Sequence, residues 1–223
     1  MWLLFRKETV MFKGIIFDLD GVLCSTDQYH YQAWKQIADD IGVCFDENIN
    51  NRLRGVSRMQ SLEIILESAG RKYSSKEKNI LTEKKNIIYK QLLHNMTSEN
   101  LSLETRKTLE KLKNRGYKLA VGSSSKNAKL ILRQLSLSAF FDAISDGTNI
   151  SHSKPDPQVF TMAAEFMGLL PEECLVVEDA AAGIEAANAG GFASAGIGQA
   201  AGHPGVTYQL KNISGLLSIL GCA

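Results

Sequence analysis

Two aspartates stand two residues apart in Asp18-Leu19-Asp20-Gly21, directly after the apolar run Gly14-Ile15-Ile16-Phe17. In a turn that ends a buried strand, that spacing lets one carboxylate and one backbone carbonyl face the same ion, which suits the all-oxygen shell of Mg²⁺. A solvated turn at a strand end has the same spacing, so the pair alone leaves both readings open. Three further segments put polar groups in equivalent places. Val121-Gly122-Ser123-Ser124-Ser125-Lys126-Asn127 leads from an apolar run into a helical pattern. Free N–H groups and the helix dipole there suit phosphate, with Ser123 as an extra donor, although simple serine capping gives the same pattern. Ser153-Lys154-Pro155-Asp156-Pro157 sets a lysine just ahead of a proline-initiated helix. A cation in that place is favourable only beside an anion or a carboxylate. Val176-Val177-Glu178-Asp179 repeats the strand-then-acid pattern, so carboxylates ending two strands can share one cation.

These groups need a scaffold that brings strand ends together. Apolar runs at 13–17, 118–122, 143–145, 174–178 and 193–197 read as buried strands, and helical patterns at 103–114, 126–135, 157–167 and 181–189 alternate with them. The expected fold class is α/β, a doubly wound parallel sheet, with all four motifs on its carboxyl edge. The interval from Gly21 to Gly116 is too long for a single crossover and reads as an insertion. Ala33, Trp34, Ile37, Ala38 and Ile41 recur at helical spacing, as do Met59, Leu62, Ile65, Leu66 and Ala69, and a third helix covers about 76–93. Ser25 with Gln28 and Ser57 with Gln60 have the spacing of capping boxes for the first two. The expected organisation is a core of residues 1–24 and 97–223 carrying an α-helical cap of residues 25–96.

Within the insertion, Arg58 falls at a helix start, where a cation is misplaced unless it meets an anion or remains solvated. His30 lies one turn before Ala33 and Trp34, on a mostly apolar face where a histidine is ordinarily structural. Lys85 falls in the series Leu81, Lys85, Ile88, Leu92, which suggests a stem lying along apolar surface with its head in water.

Composition narrows the classes of function. Twenty-five Lys and Arg against 24 acids give a net charge of +1, so no global field favours nucleic acid or a membrane surface. Cys24, Cys44, Cys174 and Cys222 show no metal-ligand spacing, which predicts reduced thiols and a cytoplasmic location. No run approaches the roughly 20 apolar residues of a membrane-spanning helix. Met1-Trp2-Leu3-Leu4-Phe5-Arg6 is too short for a signal sequence and reads as an appendage.

Asp, Ser, Lys and an acidic pair, in that order at successive strand ends, resemble the four motifs of the haloacid dehalogenase-like hydrolase superfamily. The resemblance runs from Phe12 to the C-terminal end. It implies Asp18 as nucleophile, Asp20 as general acid/base, and Ser123 and Lys154 as holders of phosphate and nucleophile. It implies one Mg²⁺ per chain, bound by Asp18, Asp20, Glu178 and Asp179. Tyr29-His30, Ala33-Trp34, Arg54-Gly55-Val56-Ser57-Arg58, Ser61-Leu62, Lys85-Asn86 and Ser125-Lys126-Asn127 are similar to the β-phosphoglucomutase subgroup. That likeness implies a phosphosugar substrate, with glucose 1,6-bisphosphate as activator and intermediate. Arg58 then binds the distal phosphate, His30 and Lys85 position Asp20, and Trp34, Arg54, Gly55, Val56, Ser57, Ser61, Ser125, Lys126 and Asn127 complete the sugar site. The subgroup commonly has an acid where Ser25 stands and a lysine where Arg54 stands. A sugar-phosphate phosphatase of the same superfamily is the alternative, and a monomer is expected.

Overall fold

The computed structural model describes residues 12–53 and 56–222. Six parallel strands form one sheet: β1 Gly14–Phe17, β2 Lys118–Gly122, β3 Ala143–Ser145, β4 Cys174–Glu178, β5 Ala193–Gly196 and β6 Tyr208–Gln209. Their spatial order is β3-β2-β1-β4-β5-β6, which puts β1 inside the sheet with β2 on one side and β4 on the other. Phe17 pairs with Val121 and with Val177, so the residues that follow these three strands leave the sheet at one level.

Successive side chains on a strand point to opposite faces, and the two cores follow that rule. Ile15 and Phe17 join Leu119, Val121, Leu175 and Val177 in one apolar cluster, whereas Ile16 lies in the other with Ala120 and Val176. Helices α5 Leu103–Asn114 and α6 Ala128–Gln134 cover the first face through Leu109, Leu112, Ile131 and Leu132. Helices α7 Gln158–Met167 and α8 Ala181–Ala189 cover the second through Val159, Phe160, Ala163, Ala186 and Ala187. Burial on both faces explains why the strands read as short apolar runs instead of alternating ones.

Four helices lie between β1 and α5: α1 Asp27–Asp40, α2 Glu47–Asn51, α3 Arg58–Leu66 and α4 Ser75–Leu93. Trp34 and Ile37 of α1, Leu62 and Ile65 of α3, and Tyr89 and Leu93 of α4 are buried, as their periodicity requires. The Ser57–Gln60 capping box is present, and a second, at Ser74 and Glu77, starts α4. The expected box at Ser25 and Gln28 is absent. Thr26 is the N-cap of α1 and makes no side-chain cap bond; its hydroxyl donates to Asp20 and accepts from the Tyr89 hydroxyl.

Among the α-helices and strands of the described residues, three have no counterpart in the sequence-based expectation. They are α2, β6 and the last helix, α9 Gly215–Ile219. Helices of 5 residues and a strand of 2 are too short to display a period. Among the described residues no helix is long and apolar enough to cross a membrane. All four cysteines are free.

Candidate active site

Asp18 is the first residue beyond β1. Its N–H donates to the Val177 carbonyl at 2.9 Å, so the strand pairing with β4 fixes its backbone. Lys154 reaches it from the loop ahead of α7, with Nζ 2.5 Å from Asp18 Oδ1 and 2.5 Å from Glu178 Oε1. The lysine side chain is 9% exposed, that of Asp18 10% and that of Glu178 1%. Burial pulls the Lys154 ammonium down, but the two carboxylates outweigh it and leave it above the ordinary lysine range. The dipole penalty anticipated for a cation ahead of a helix is therefore offset by a pair of buried anions.

Glu178 ends β4, and its Oε2 accepts the N–H groups of Asp179 at 2.8 Å and Ala180 at 2.9 Å. Two glycines make room for these acids. A Cβ on Gly183 would lie 2.0 Å from Glu178 Oε1, and one on Gly21 would lie 1.9 Å from Asp179 Oδ2. Gly21 also has φ of +84°, a conformation that other L residues enter only with strain. Gly183 has no part in the sequence motifs, and Gly21 enters them only as the end of the strand-ending turn. The glycine in Asp18-Leu19-Asp20-Gly21 is the signal that a turn must fit under a second loop.

Carboxylate oxygens of Asp18, Glu178 and Asp179 lie within 4.8 Å of one another. Burial, then the Glu178 charge, holds Asp179 up to about 7, and burial also raises Asp18 well above the usual carboxylate range. Three acids with one lysine between them are short of positive charge. Oxygen donors seated in glycine-cleared space fit a hard divalent cation such as Mg²⁺. The Asp20 carboxylate is outside that triad. Its Oδ1 accepts the Thr26 N–H at 3.1 Å and the Thr26 hydroxyl, which in turn accepts the Tyr89 hydroxyl at 3.0 Å. Burial raises the pKa of Asp20, and the two Thr26 bonds oppose the rise. Thr26 and Tyr89 were missed because nothing local distinguishes a hydroxyl that serves a distant carboxylate from one that caps a helix.

Ser123 is buried just after β2. Its N–H donates to Ser145 O at 3.0 Å and its Oγ accepts the Ser125 N–H at 3.2 Å. Ser125 Oγ accepts the N–H of Asn127 at 3.2 Å, and Asn127 is buried while Lys126 is exposed. In the insertion, Trp34 is 2% exposed and Ser61 is 4%. Val56 and Ser57 are exposed, and Arg54 and Gly55 lie outside the described residues.

Lys85 does not place its head in water. It is 2% exposed, with Nζ 2.7 Å from His30 Nδ1 and 4.4 Å from the centre of the Tyr89 ring. Burial, then Arg58, pushes Lys85 down to about 7, and burial with the Lys85 charge pushes His30 well below its ordinary value. Between about pH 7 and the ordinary lysine value of 10.5 the unfolded chain holds a proton that the folded chain lacks. Stability linked to this group is therefore present above 10.5 and lost as the pH falls to about 7. Lys85→Met should raise stability at pH 7 and gain less towards pH 10, by urea unfolding at both values. An equal gain at both would mean that the buried amine stays charged.

Residues 12–191 match the family model described as haloacid dehalogenase-like hydrolase. The chain belongs to this family. Within it the chain is similar to the β-phosphoglucomutase of Bacillus subtilis (strain 168), 41% identical over 206 residues that cover 92% of this chain and 91% of that one. It is 31% identical to a phosphorylated carbohydrates phosphatase of Thermotoga maritima, over 81% of this chain and 82% of the relative. A crystal structure of β-phosphoglucomutase from Clostridium difficile superposes with a TM-score of 0.81 at 36% identity, covering 92% of this chain and 93% of the other.

Proposed function

We propose that this protein is a phosphomutase that interconverts β-D-glucose 1-phosphate and glucose 6-phosphate. The observation that carries the reading is Arg58. This helix-start cation is 27% exposed, its Nη1 lies 3.3 Å from the exposed Glu83 carboxylate, and its Nη2 donates to Asn86, which also accepts from Asn127 at the start of α6. A guanidinium held there suits a second phosphate, which a mutase substrate carries at the halfway point and a monophosphate lacks.

In this mechanism phospho-Asp18 gives its phosphoryl group to the C6 hydroxyl of glucose 1-phosphate, and Asp20 takes the hydroxyl proton. The resulting glucose 1,6-bisphosphate turns over. Asp18 then attacks phosphorus at C1, the C1–oxygen to phosphorus bond breaks, and Asp20 returns its proton to the departing oxygen. Lys154 offsets the charge of Asp18 as the phosphoryl group approaches, and Ser123 donates to that group. One Mg²⁺, held by Asp18, Glu178, Asp179 and the Asp20 backbone carbonyl, would supply further charge neutralisation when bound. His30 and Lys85 orient Asp20 through the packing of α1 on α4. Trp34, Arg54, Gly55, Val56, Ser57, Ser61, Ser125, Lys126 and Asn127 form the sugar and distal-phosphate site. Residues 25–96 act as a cap domain that excludes water over a core of residues 1–24 and 97–223. The protein works as a cytoplasmic monomer on a small phosphosugar.

Likeness to a carbohydrate phosphatase favours a second reading, in which phospho-Asp18 passes its phosphoryl group to water. Incubation with β-glucose 1-phosphate, Mg²⁺ and a trace of bisphosphate separates the two. Glucose 6-phosphate without matching release of phosphate is the expected result, and stoichiometric phosphate without isomer would end the mutase reading. Arg58→Ala should lower kcat/KM for glucose 1-phosphate by about 100-fold, equivalent to the roughly 3 kcal/mol of a charge-assisted contact. Hydrolysis of a small phosphoester should fall much less. Equal losses on both would remove Arg58 from the distal-phosphate site.

A further inference from the structure

Arg58 opens α3, and its guanidinium is held from α4 by both terminal nitrogens. Nη1 lies 3.3 Å from Glu83 Oε1, and Nη2 lies 3.0 Å from Asn86 Oδ1. Glu83 and Asn86 are three residues apart on one helix, so they are neighbours on its surface. Their chemistry differs. The amide is neutral, whereas the carboxylate brings the kind of charge that a bound phosphate would bring. Burial lowers the pKa of Arg58, and Glu83 is first among the groups that oppose the drop.

Glu83 can let go of Arg58 readily. Its side chain is 69% exposed, so the carboxylate is already hydrated, and an ion pair so open to water holds weakly. The next two cations along α4 are engaged elsewhere: Lys84 Nζ lies 2.8 Å from Asp40 Oδ2, and Lys85 Nζ lies 2.7 Å from His30 Nδ1. Arg58 and Glu83 both belong to the insertion, so parting them leaves the seat of the insertion on the sheet intact. That seat has its own bonds, from Asn127 Nδ2 to Asn86 Oδ1 at 3.1 Å and from Gln134 Nε2 to Leu93 O at 3.2 Å.

We propose that Glu83 is a resident counter-ion that competes with the distal phosphate for Arg58 and takes the guanidinium back when that phosphate leaves. The consequence is a loosened grip. A bisphosphate that exchanges its two ends between Arg58 and Asp18 must leave Arg58 in every cycle. A guanidinium without a competitor would hold the intermediate more firmly and slow turnover, because binding that is equally strong before the reaction does not speed it. Glu83 thus acts through Arg58 and is a positioning residue. The identity of the anion as a distal phosphate rests on the proposed mutase function, whereas the competition for Arg58 does not.

Calorimetry with glucose 1,6-bisphosphate and Mg²⁺ tests this, on protein carrying Asp18→Asn so that the ligand is not consumed. Adding Glu83→Gln should tighten binding about fivefold at low ionic strength, the most that an exposed ion pair can withhold, and the gain should shrink in 1 M salt. With Arg58→Ala also present, the gain should disappear. Glu104→Gln, at an exposed acid of α5, controls for net charge and should change nothing. In protein that retains Asp18, Glu83→Gln should lower kcat for isomerisation, while hydrolysis of a small phosphoester that does not reach Arg58 stays as in the parent. Unchanged bisphosphate affinity, a gain that survives Arg58→Ala, or tighter binding with undiminished kcat each overturns the proposal. A parent that frees phosphate from β-glucose 1-phosphate and forms no isomer would instead defeat the mutase reading, and the calorimetric comparison would still decide whether Glu83 competes for Arg58.

Discussion

Asp18→Asn should abolish phosphoryl transfer, with kcat reduced by about 10⁴-fold or more and no acid-stable, base-labile phosphoryl label on the chain. The amide is nearly isosteric, but it has no anionic oxygen to attack phosphorus. The variant should nevertheless fold. Lys154 would retain Glu178 at 2.5 Å, so the buried ammonium keeps an anion. Loss of one carboxylate also relieves the crowding with Glu178 that helps raise Asp18. A heat-denaturation midpoint close to that of the parent, measured beside the turnover assay, would assign the loss to chemistry. Retained turnover or label would remove Asp18 as nucleophile.

Lys154→Met has the opposite profile, because stability and activity should fall together. The lysine is the cation between Asp18 and Glu178, and all three side chains are nearly buried. Removing one partner of a buried ionic cluster costs about 3–5 kcal/mol, since the remaining charges are left uncompensated. The loss should depend on pH. Asp179, held up to about 7, and Asp18, raised well above its ordinary value, contribute stability below their unfolded pKa values that is lost as pH rises through the folded ones. Without the lysine both should rise further, so the variant should lose most at pH 8 and recover towards pH 5. Mg²⁺ should restore part of the loss at pH 8 by binding the folded triad. Urea unfolding at both pH values, with chelator and with Mg²⁺, checks this. A deficit indifferent to pH and to Mg²⁺ would mean that Lys154 contributes by packing alone.

Features that depend on a few consecutive residues were the legible ones. An apolar run cut short by Asp18 or by Glu178 announces a strand and its end, and register in a parallel sheet then carries the two ends to one edge. Helices α5 and α8 have the expected bounds because each shows enough turns to display a period and has turn residues beyond it. Thr26 was illegible for the opposite reason. Its hydroxyl could cap α1 or serve Asp20, and only the path of the chain between them decides. Lys85 is a similar case, since a lysine beside an apolar stripe can reach water or turn inward. The pocket of His30, Trp34 and Tyr89 that receives it is assembled from α1 and α4 together. Gly183 needed knowledge of where the Glu178 side chain lies before its missing Cβ had meaning.

The sheet tapers, with three residues in β3 at one margin and two in β6 at the other. Neither margin offers a length of unpaired backbone on which a strand from another molecule can be laid. The folded sheet is thus a poor template for a strand from a neighbouring molecule. A protein built this way should stay dispersed at high concentration under native conditions, with no fibrils growing from the margins of its sheet.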